Sequence, residues 1–169
     1  MAKILSLRLK KVLHKVIDAR QSAFLGGKGI MDSVLVVNEV MEEIKKRKNN
    51  YIFFKVDYEK TYDSVDRGFL YYMLERLGFC GRWIGWIRAC LESSSVSALV
   101  NGSPTQEFKP RKGLRQGDPL TLFLFFIVAE GLAGVVRKAV EKELLESVEI
   151  GGRLIKVNML QFADDTFFL

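Results

Sequence analysis

Apolar residues recur at helical spacing through residues 3–17, where Ile4, Leu5, Leu7, Leu9, Val12, Leu13 and Val16 alternate with Lys and Arg. This predicts a basic amphipathic helix. Gln21 to Gly29 reads as a loop with Gly26, Gly27 and Gly29 around Lys28. A second helix is predicted from Asp32 or Ser33, with Val34, Leu35, Val37, Val40, Met41 and Ile44 on its apolar side. It closes in Lys45-Lys46-Arg47-Lys48, where positive charge suits a helix C-terminus without any ligand. Tyr51 to Asp57 is aromatic and β-branched and predicts a buried strand. Asp66 opens a helix that Gly78 stops after Leu77, and another runs from about Gly81 to Leu91. Ser95–Asn101 and Gln106–Pro110 predict a hairpin turning through Gly102-Ser103-Pro104. A basic loop, Lys109 to Arg115, leads to a long apolar helix from Asp118 to about Glu146, with Asp118 as N-cap and Pro119 first in the helix. Two short strands close the chain, the first turning at Gly151-Gly152.

The run Phe162-Ala163-Asp164-Asp165-Thr166 has Val157, Met159 and Leu160 before it and Phe167, Phe168 and Leu169 after it. It reads as a strand, a tight acidic turn and a returning strand. Two carboxylates crowded at a hairpin tip repel unless water or a cation screens them, which suggests a divalent-metal site. A third ligand candidate is Asp57, at the end of the predicted strand. A carboxylate there is costly in a core and well placed in a cleft. A strand-end cap is the other reading of Asp57 alone. Three carboxylates around one pocket suit two Mg²⁺ ions about 3.5–4 Å apart, with in-line attack of a hydroxyl on a phosphate.

Bulk composition narrows the partners and the compartment. The chain has 169 residues, is 49% hydrophobic and 27% charged, and carries a net charge of +6. That fits one folded domain with a sizeable core. Its charge fits an anionic partner, or only a basic surface. Cys80 and Cys90 match no zinc or redox spacing and read as small buried side chains in a reducing compartment. His14 is the single histidine and lies in a basic helical stretch, with no Ser or Cys elbow to serve. Arg8, Lys10 and Lys11 interrupt the N-terminal apolar run too early for a signal peptide, so an intracellular protein of nucleus or cytoplasm is expected. Leu120 to Val136 is the stretch closest to a membrane span. Glu130, Ala129, Gly131 and Gly134 make it a buried core helix instead, and no membrane partner is expected.

Three blocks occur in order: Lys55-Val56-Asp57-Tyr58-Glu59-Lys60-Thr61-Tyr62-Asp63-Ser64-Val65-Asp66, Gly113-Leu114-Arg115-Gln116-Gly117-Asp118-Pro119-Leu120, and Phe162-Ala163-Asp164-Asp165-Thr166. Gln21-Ser22-Ala23-Phe24-Leu25 with Gly27-Lys28 stands ahead of them. Together they closely resemble the reverse transcriptases of non-LTR (LINE-type) retrotransposons, in a form common in plants, over essentially the whole chain.

The resemblance implies an α+β palm-and-fingers polymerase fold. About 1–50 would belong to the fingers and about 51–169 to the palm, with an incomplete antiparallel palm sheet packed on helices and no thumb. It implies an RNA-directed DNA polymerase that adds dNTP to a DNA primer 3′-hydroxyl on an RNA template. Asp57, Asp164 and Asp165 match the family's metal-binding aspartates, for two Mg²⁺ or Mn²⁺ ions. Tyr62 matches the aromatic gate under the nucleotide sugar, with a core aromatic as the other reading. Gln116 and Gly117 match the block that contacts the incoming nucleotide and templating base. Arg111, Lys112 and Arg115 would meet phosphates there, and Lys28 matches a basic fingers position. Thr61 stands where alanine is usual, and Thr121-Leu122 where Ser-Pro is usual. The family's upstream fingers segment and downstream palm strands are not in this sequence, so a truncated piece is expected, with Phe167-Phe168-Leu169 as an open hydrophobic edge. A non-catalytic retroelement remnant with residual nucleic-acid affinity is the rival expectation. A two-metal nuclease would need only the carboxylates and leaves Tyr62 and the Gly113–Leu120 block unexplained.

Overall fold

A computed structural model describes residues 1–17, 30–47, 52–150, 155–162 and 165–169 of the chain. The predicted loop with Lys28, the Gly151-Gly152 turn and Asp164 lie outside the described residues. Helices are α1 (Ala2–Val16), α2 (Ile30–Arg47), α3 (Arg67–Arg76), α4 (Gly81–Glu92) and α5 (Thr121–Glu141). Strands are β1 (Phe54–Asp57), β2 (Leu99–Val100), β3 (Ser103–Pro104), β4 (Val148–Ile150), β5 (Ile155–Val157), β6 (Met159–Phe162) and β7 (Asp165–Phe168). All strand pairs are antiparallel, so the class is α+β as expected. The chain forms two compact units: Met1–Val12 with Lys60–Val128, and Leu13–Glu59 with Ala129–Leu169.

In the first unit α3 has both predicted ends. Asp66 Oδ1 accepts from the Phe69 amide at 2.8 Å, satisfying one donor of the first turn. Gly78 takes φ +84°, and the amides of Gly78 and Phe79 donate back to the carbonyls of Glu75 and Leu74. That is a left-handed cap which a side chain would strain. Leu70, Met73 and Leu74 of α3 and Ile87 and Leu91 of α4 are buried where the two helices pack. The hairpin β2–β3 exists, but its turn is Asn101-Gly102, with both residues at positive φ, 50° and 81°. Ser103-Pro104 therefore lies in the returning strand and is not part of the turn. Two left-handed residues match the twist of the flanking strands, which a turn through Pro104 would not. Cys80 is exposed at the start of α4 and Cys90 half-buried, against the expectation of two buried thiols.

The helix α5 is shorter than predicted at both ends. Asp118 Oδ1 accepts from the Leu120 amide at 2.8 Å, so Asp118-Pro119 forms a turn ahead of a helix that begins at Thr121. At the far end Glu143 sits at φ +60°, and Glu143 and Leu144 donate to the carbonyls of Val140 and Ala139. The cap has the geometry that normally calls for glycine, built on a glutamate. Leu124, Phe125, Phe126 and Ile127 are buried in the helix's first two turns. Glu130, also buried, accepts from Arg137 at 2.7 Å, two turns on. Among the described residues no helix is long and apolar enough to cross a membrane.

The second unit holds a three-stranded sheet in the order β1-β7-β6, and a separate β4–β5 hairpin. Among the described residues four strands thus close the chain, where the pattern predicts two. β1 is also shorter than the predicted Tyr51–Asp57, because its partner β7 ends at Phe168, opposite Phe54. β7 is the central strand, so its backbone is paired on both sides and Phe167-Phe168 is not an open edge. One sheet face carries Phe168 and Met159, packed with Ala133 and Val136 of α5. Val40 of α2 forms a second cluster with Val148 and Val157, against which Ile44, Leu160 and Leu169 pack.

Two buried polar atoms among the described residues have no hydrogen-bond partner, the Tyr71 hydroxyl and the Trp83 indole nitrogen, and the first has a measurable consequence. The Tyr71 hydroxyl is buried with no hydrogen-bond partner among the described residues, while Arg88 lies 4.5 Å over its ring. Burial, reinforced by Glu92, pushes the Tyr71 pKa above its usual 10.0. A raised pKa favours the neutral form in the folded state, so its stabilisation holds below about pH 10 and is lost as pH rises through the folded value. Tyr71→Phe should therefore raise stability near neutral pH by about 1 kcal/mol, since an unmet hydroxyl is removed. It should also lessen the alkaline loss of stability. Urea unfolding of both proteins at pH 7.5 and above pH 10 checks both effects.

Candidate active site

In the second unit, β1 and β7 pair so that Asp57 stands directly across from Asp165, and Lys55 from Phe167. Side chains alternate along a strand, so Lys55 and Asp57 share the sheet face opposite the one that Phe168 and Met159 bury. Directly opposed residues have Cβ atoms about 5 Å apart, within reach of a shared ligand. Like charges placed so destabilise a strand pair, and this pair is relieved by a neighbour. Lys55 Nζ lies 3.0 Å from Asp165 Oδ1. The face thus already accommodates a cation beside Asp165, and its oxygen donors suit a hard divalent ion. Asp57 is exposed and Asp165 half-buried, so both are open to solvent. Among the described residues no group of three or more His, Cys, Asp or Glu is gathered to hold a metal. Asp57 and Asp165 are brought together, and the third predicted ligand, Asp164, lies outside the described residues.

The first unit brings together the other predicted residues through the backbone. The Gly113 amide donates to the Val65 carbonyl and the Leu114 amide to the Tyr62 carbonyl, each at 2.8 Å. The first and second sequence blocks are thereby stitched main chain to main chain. Gly113 has φ +80°, and a Cβ there would lie 2.7 Å from the Asp63 carbonyl oxygen, so no other residue fits. The half-buried Tyr62 ring rests against Phe125, with centroids 5.1 Å apart. Its packing belongs to the core while its carbonyl fixes the second block.

Beyond Leu114 the loop turns outward. Gln116 and Gly117 are exposed, Gly117 at φ +87°. The Arg115 carbonyl before them accepts from the Thr121 hydroxyl at 2.5 Å and from the Asp118 amide at 3.2 Å. The hydroxyl shared by Thr121 and the usual serine thus has a structural task. Lys112, Arg115 and Gln116 line one open cavity of about 640 Å³ with Asp63, Arg67 and Ser94. Arg111 is exposed and does not line it. Lys28 lies outside the described residues.

The family described as reverse transcriptase (RNA-dependent DNA polymerase) matches residues 1–169. The chain belongs to this family. Several of its named relatives are proteins of non-LTR, LINE-type elements. The transposon TX1 uncharacterized 149 kDa protein of Xenopus laevis is 28% identical over 168 residues, covering 99% of this chain and 12% of that protein. The Pol polyprotein of the type-2 retrotransposable element R2DM of Drosophila melanogaster is 26% identical over 162 residues, covering 96% of this chain and 14% of that protein. An uncharacterized mitochondrial protein of Arabidopsis thaliana, AtMg01250, is 41% identical over 68 residues, 40% of this chain and 56% of its own. The chain therefore spans only a small part of the first two relatives. A telomerase from Candida albicans, solved with a fragment of telomeric RNA, superposes with a TM-score of 0.62 at 13% identity, over 98% of this chain and 29% of that one. The partial reverse transcriptase fold is thus shared, and the family implies dependence on a divalent metal in general terms.

Two side chains that brace the second block have roles the residue pattern does not signal. Arg67 Nε donates to the Gly113 carbonyl at 3.0 Å and its guanidinium to the Leu91 carbonyl at 3.2 Å, tying α4 to the second block. Thr121 is the other. Nothing in the residue pattern distinguishes Arg67 from an ordinary first-turn arginine. The geometry ranks two glycines of the block. At Gly117 a Cβ would meet nothing within 4 Å, so Gly117→Ala costs only the left-handed backbone, about 1–2 kcal/mol. Gly113→Ala meets both that penalty and the Asp63 carbonyl, and should cost at least about 1 kcal/mol more. Chemical denaturation of the two variants gives the order.

Proposed function

We propose that this chain carries the metal-binding and nucleotide-selecting part of an RNA-directed DNA polymerase that extends a DNA primer on an RNA template. The observation that carries the reading is the register of β1 on β7, which sets Asp57 opposite Asp165 at a solvent-accessible end of the sheet. Asp57, Asp164 and Asp165 would hold two Mg²⁺ ions, or Mn²⁺ in their place. Bound there, the ions would acidify the primer 3′-hydroxyl and offset charge on the departing pyrophosphate. The protein's own share is to keep carboxylates close together against their repulsion.

In this reading Tyr62 lies beneath the sugar of the incoming nucleotide and disfavours a 2′-hydroxyl there, and the bracing of its ring by Phe125 supports that role. Gln116 and Gly117 meet the new base pair, and their exposure at a backbone-anchored loop supports that. Lys112, Arg115 and Arg111 contact phosphates, with Lys28 adding a fingers contact. Three cations beside a glutamine in one cavity support a nucleic-acid partner, as does the RNA carried by the telomerase of like fold. Residues to about 50 would serve as fingers and the rest as palm.

Primer extension on an RNA template with Mg²⁺ tests the chemistry. Asp57→Asn, Asp164→Asn and Asp165→Asn should each lower incorporation on the order of 100-fold or more, the scale set by removing one charge-stabilising group. Equal incorporation by wild type and variants removes the proposal, and processive synthesis by wild type removes the remnant reading. Tyr62→Ala should narrow the preference for dNTP over rNTP, read as the ratio of kcat/KM for the two substrates.

A further inference from the structure

Lys55 belongs to no part of the reaction as described above, yet it lies among the carboxylates. It precedes Asp57 by two residues on β1 and so projects from the same sheet face. Its partner across the strand pair is Phe167, and its ammonium reaches diagonally to Asp165 Oδ1 at 3.0 Å. The ammonium also lies 5.8 Å from the Phe167 ring centroid, so the aromatic face steadies the cation. The Lys55 side chain is 50% exposed and that of Asp165 35%, which leaves a path for the ammonium to withdraw into water.

Charge decides what this arrangement does. Asp57 and Asp165 together carry two negative charges, and Lys55 cancels one of them. A divalent ion approaching Asp165 meets both a carboxylate already engaged and a like charge beside it. We propose that Lys55 is a resident counter-cation of the Asp57–Asp165 pair, which relieves their repulsion before metal arrives and lowers the site's affinity for free metal. The inference rests on the metal-binding role proposed for Asp57 and Asp165.

The test is a titration of Mn²⁺ alone into the 169-residue chain at low ionic strength, with free ion followed by electron paramagnetic resonance. Lys55→Met should bind Mn²⁺ about three-fold more tightly, the scale of a solvent-exposed ion pair. Added salt should shrink the difference. Lys55→Arg should keep the wild-type affinity, which separates the charge from the packing of the stem on Phe167. Should Lys55→Met not fold by circular dichroism, Lys55→Gln carries the same expectation. Neutral variants that bind Mn²⁺ no more tightly than wild type overturn the proposal. Asp165→Asn keeps the two claims apart. If it weakens Mn²⁺ binding while the neutral Lys55 variants do not tighten it, only the role of Lys55 fails. If it leaves binding unchanged, the metal role of Asp165 fails, and the inference falls with it.

Discussion

Four residues of β1 pair with four of β7, and the candidate metal face exists only in that register. A slip of one residue along β7 would set Asp57 across from Thr166 and turn the sheet faces against each other. The register is held by the opposite face, where Phe168 and Met159 pack with Ala133 and Val136 of α5. It is held also by β6, which pairs with the other edge of β7. A hydrophobic requirement on one side of a thin sheet thus dictates where carboxylates stand on the other. The price is a pair of opposed acids that strand pairing alone would disfavour, offset in part by Lys55.

The second block is placed by a different kind of force. Gly113 and Leu114 are bonded to the carbonyls of Val65 and Tyr62, and Arg67 and Thr121 bind the carbonyls of Gly113 and Arg115. The loop that exposes Gln116 and Gly117 is therefore anchored on both sides of its tip, and its anchors accept at the backbone. Tyr62 takes part twice, with its ring against Phe125 and its carbonyl on Leu114.

Much of this was legible in the residues. Asp66 and Gly78 mark the ends of α3 because capping chemistry is local and residue-specific. The acidic pair and Asp57 stood out because carboxylates that follow apolar strands are costly if buried, and Asp57 and Asp165 are both open to solvent. The end of α5 was not legible, since Glu143 holds a left-handed conformation that a glutamate seldom adopts, and no glycine marks the stop. The Asn101-Gly102 turn was in plain view, but the neighbouring Gly-Ser-Pro offered a competing turn signal. Lys55 and Arg67 were unreadable for another reason: an ion pair across strands and a donor to a carbonyl 46 residues away depend on tertiary contact, which residue spacing does not encode.

The main-chain ties between the first two blocks bear on how freely such a sequence can drift. Each donor and acceptor of the Tyr62–Leu114 and Val65–Gly113 bonds is a peptide group, which every residue supplies except proline at a donor position. Asp63, Ser64, Arg111 and Lys112 can then be exchanged, within the limits of their own contacts, without cutting either tie. Immutability concentrates at Gly113, the one position of the stitch where a lineage has no alternative letter to offer. A member of this family whose gene accumulates changes can keep this joint aligned long after the surrounding letters have turned over.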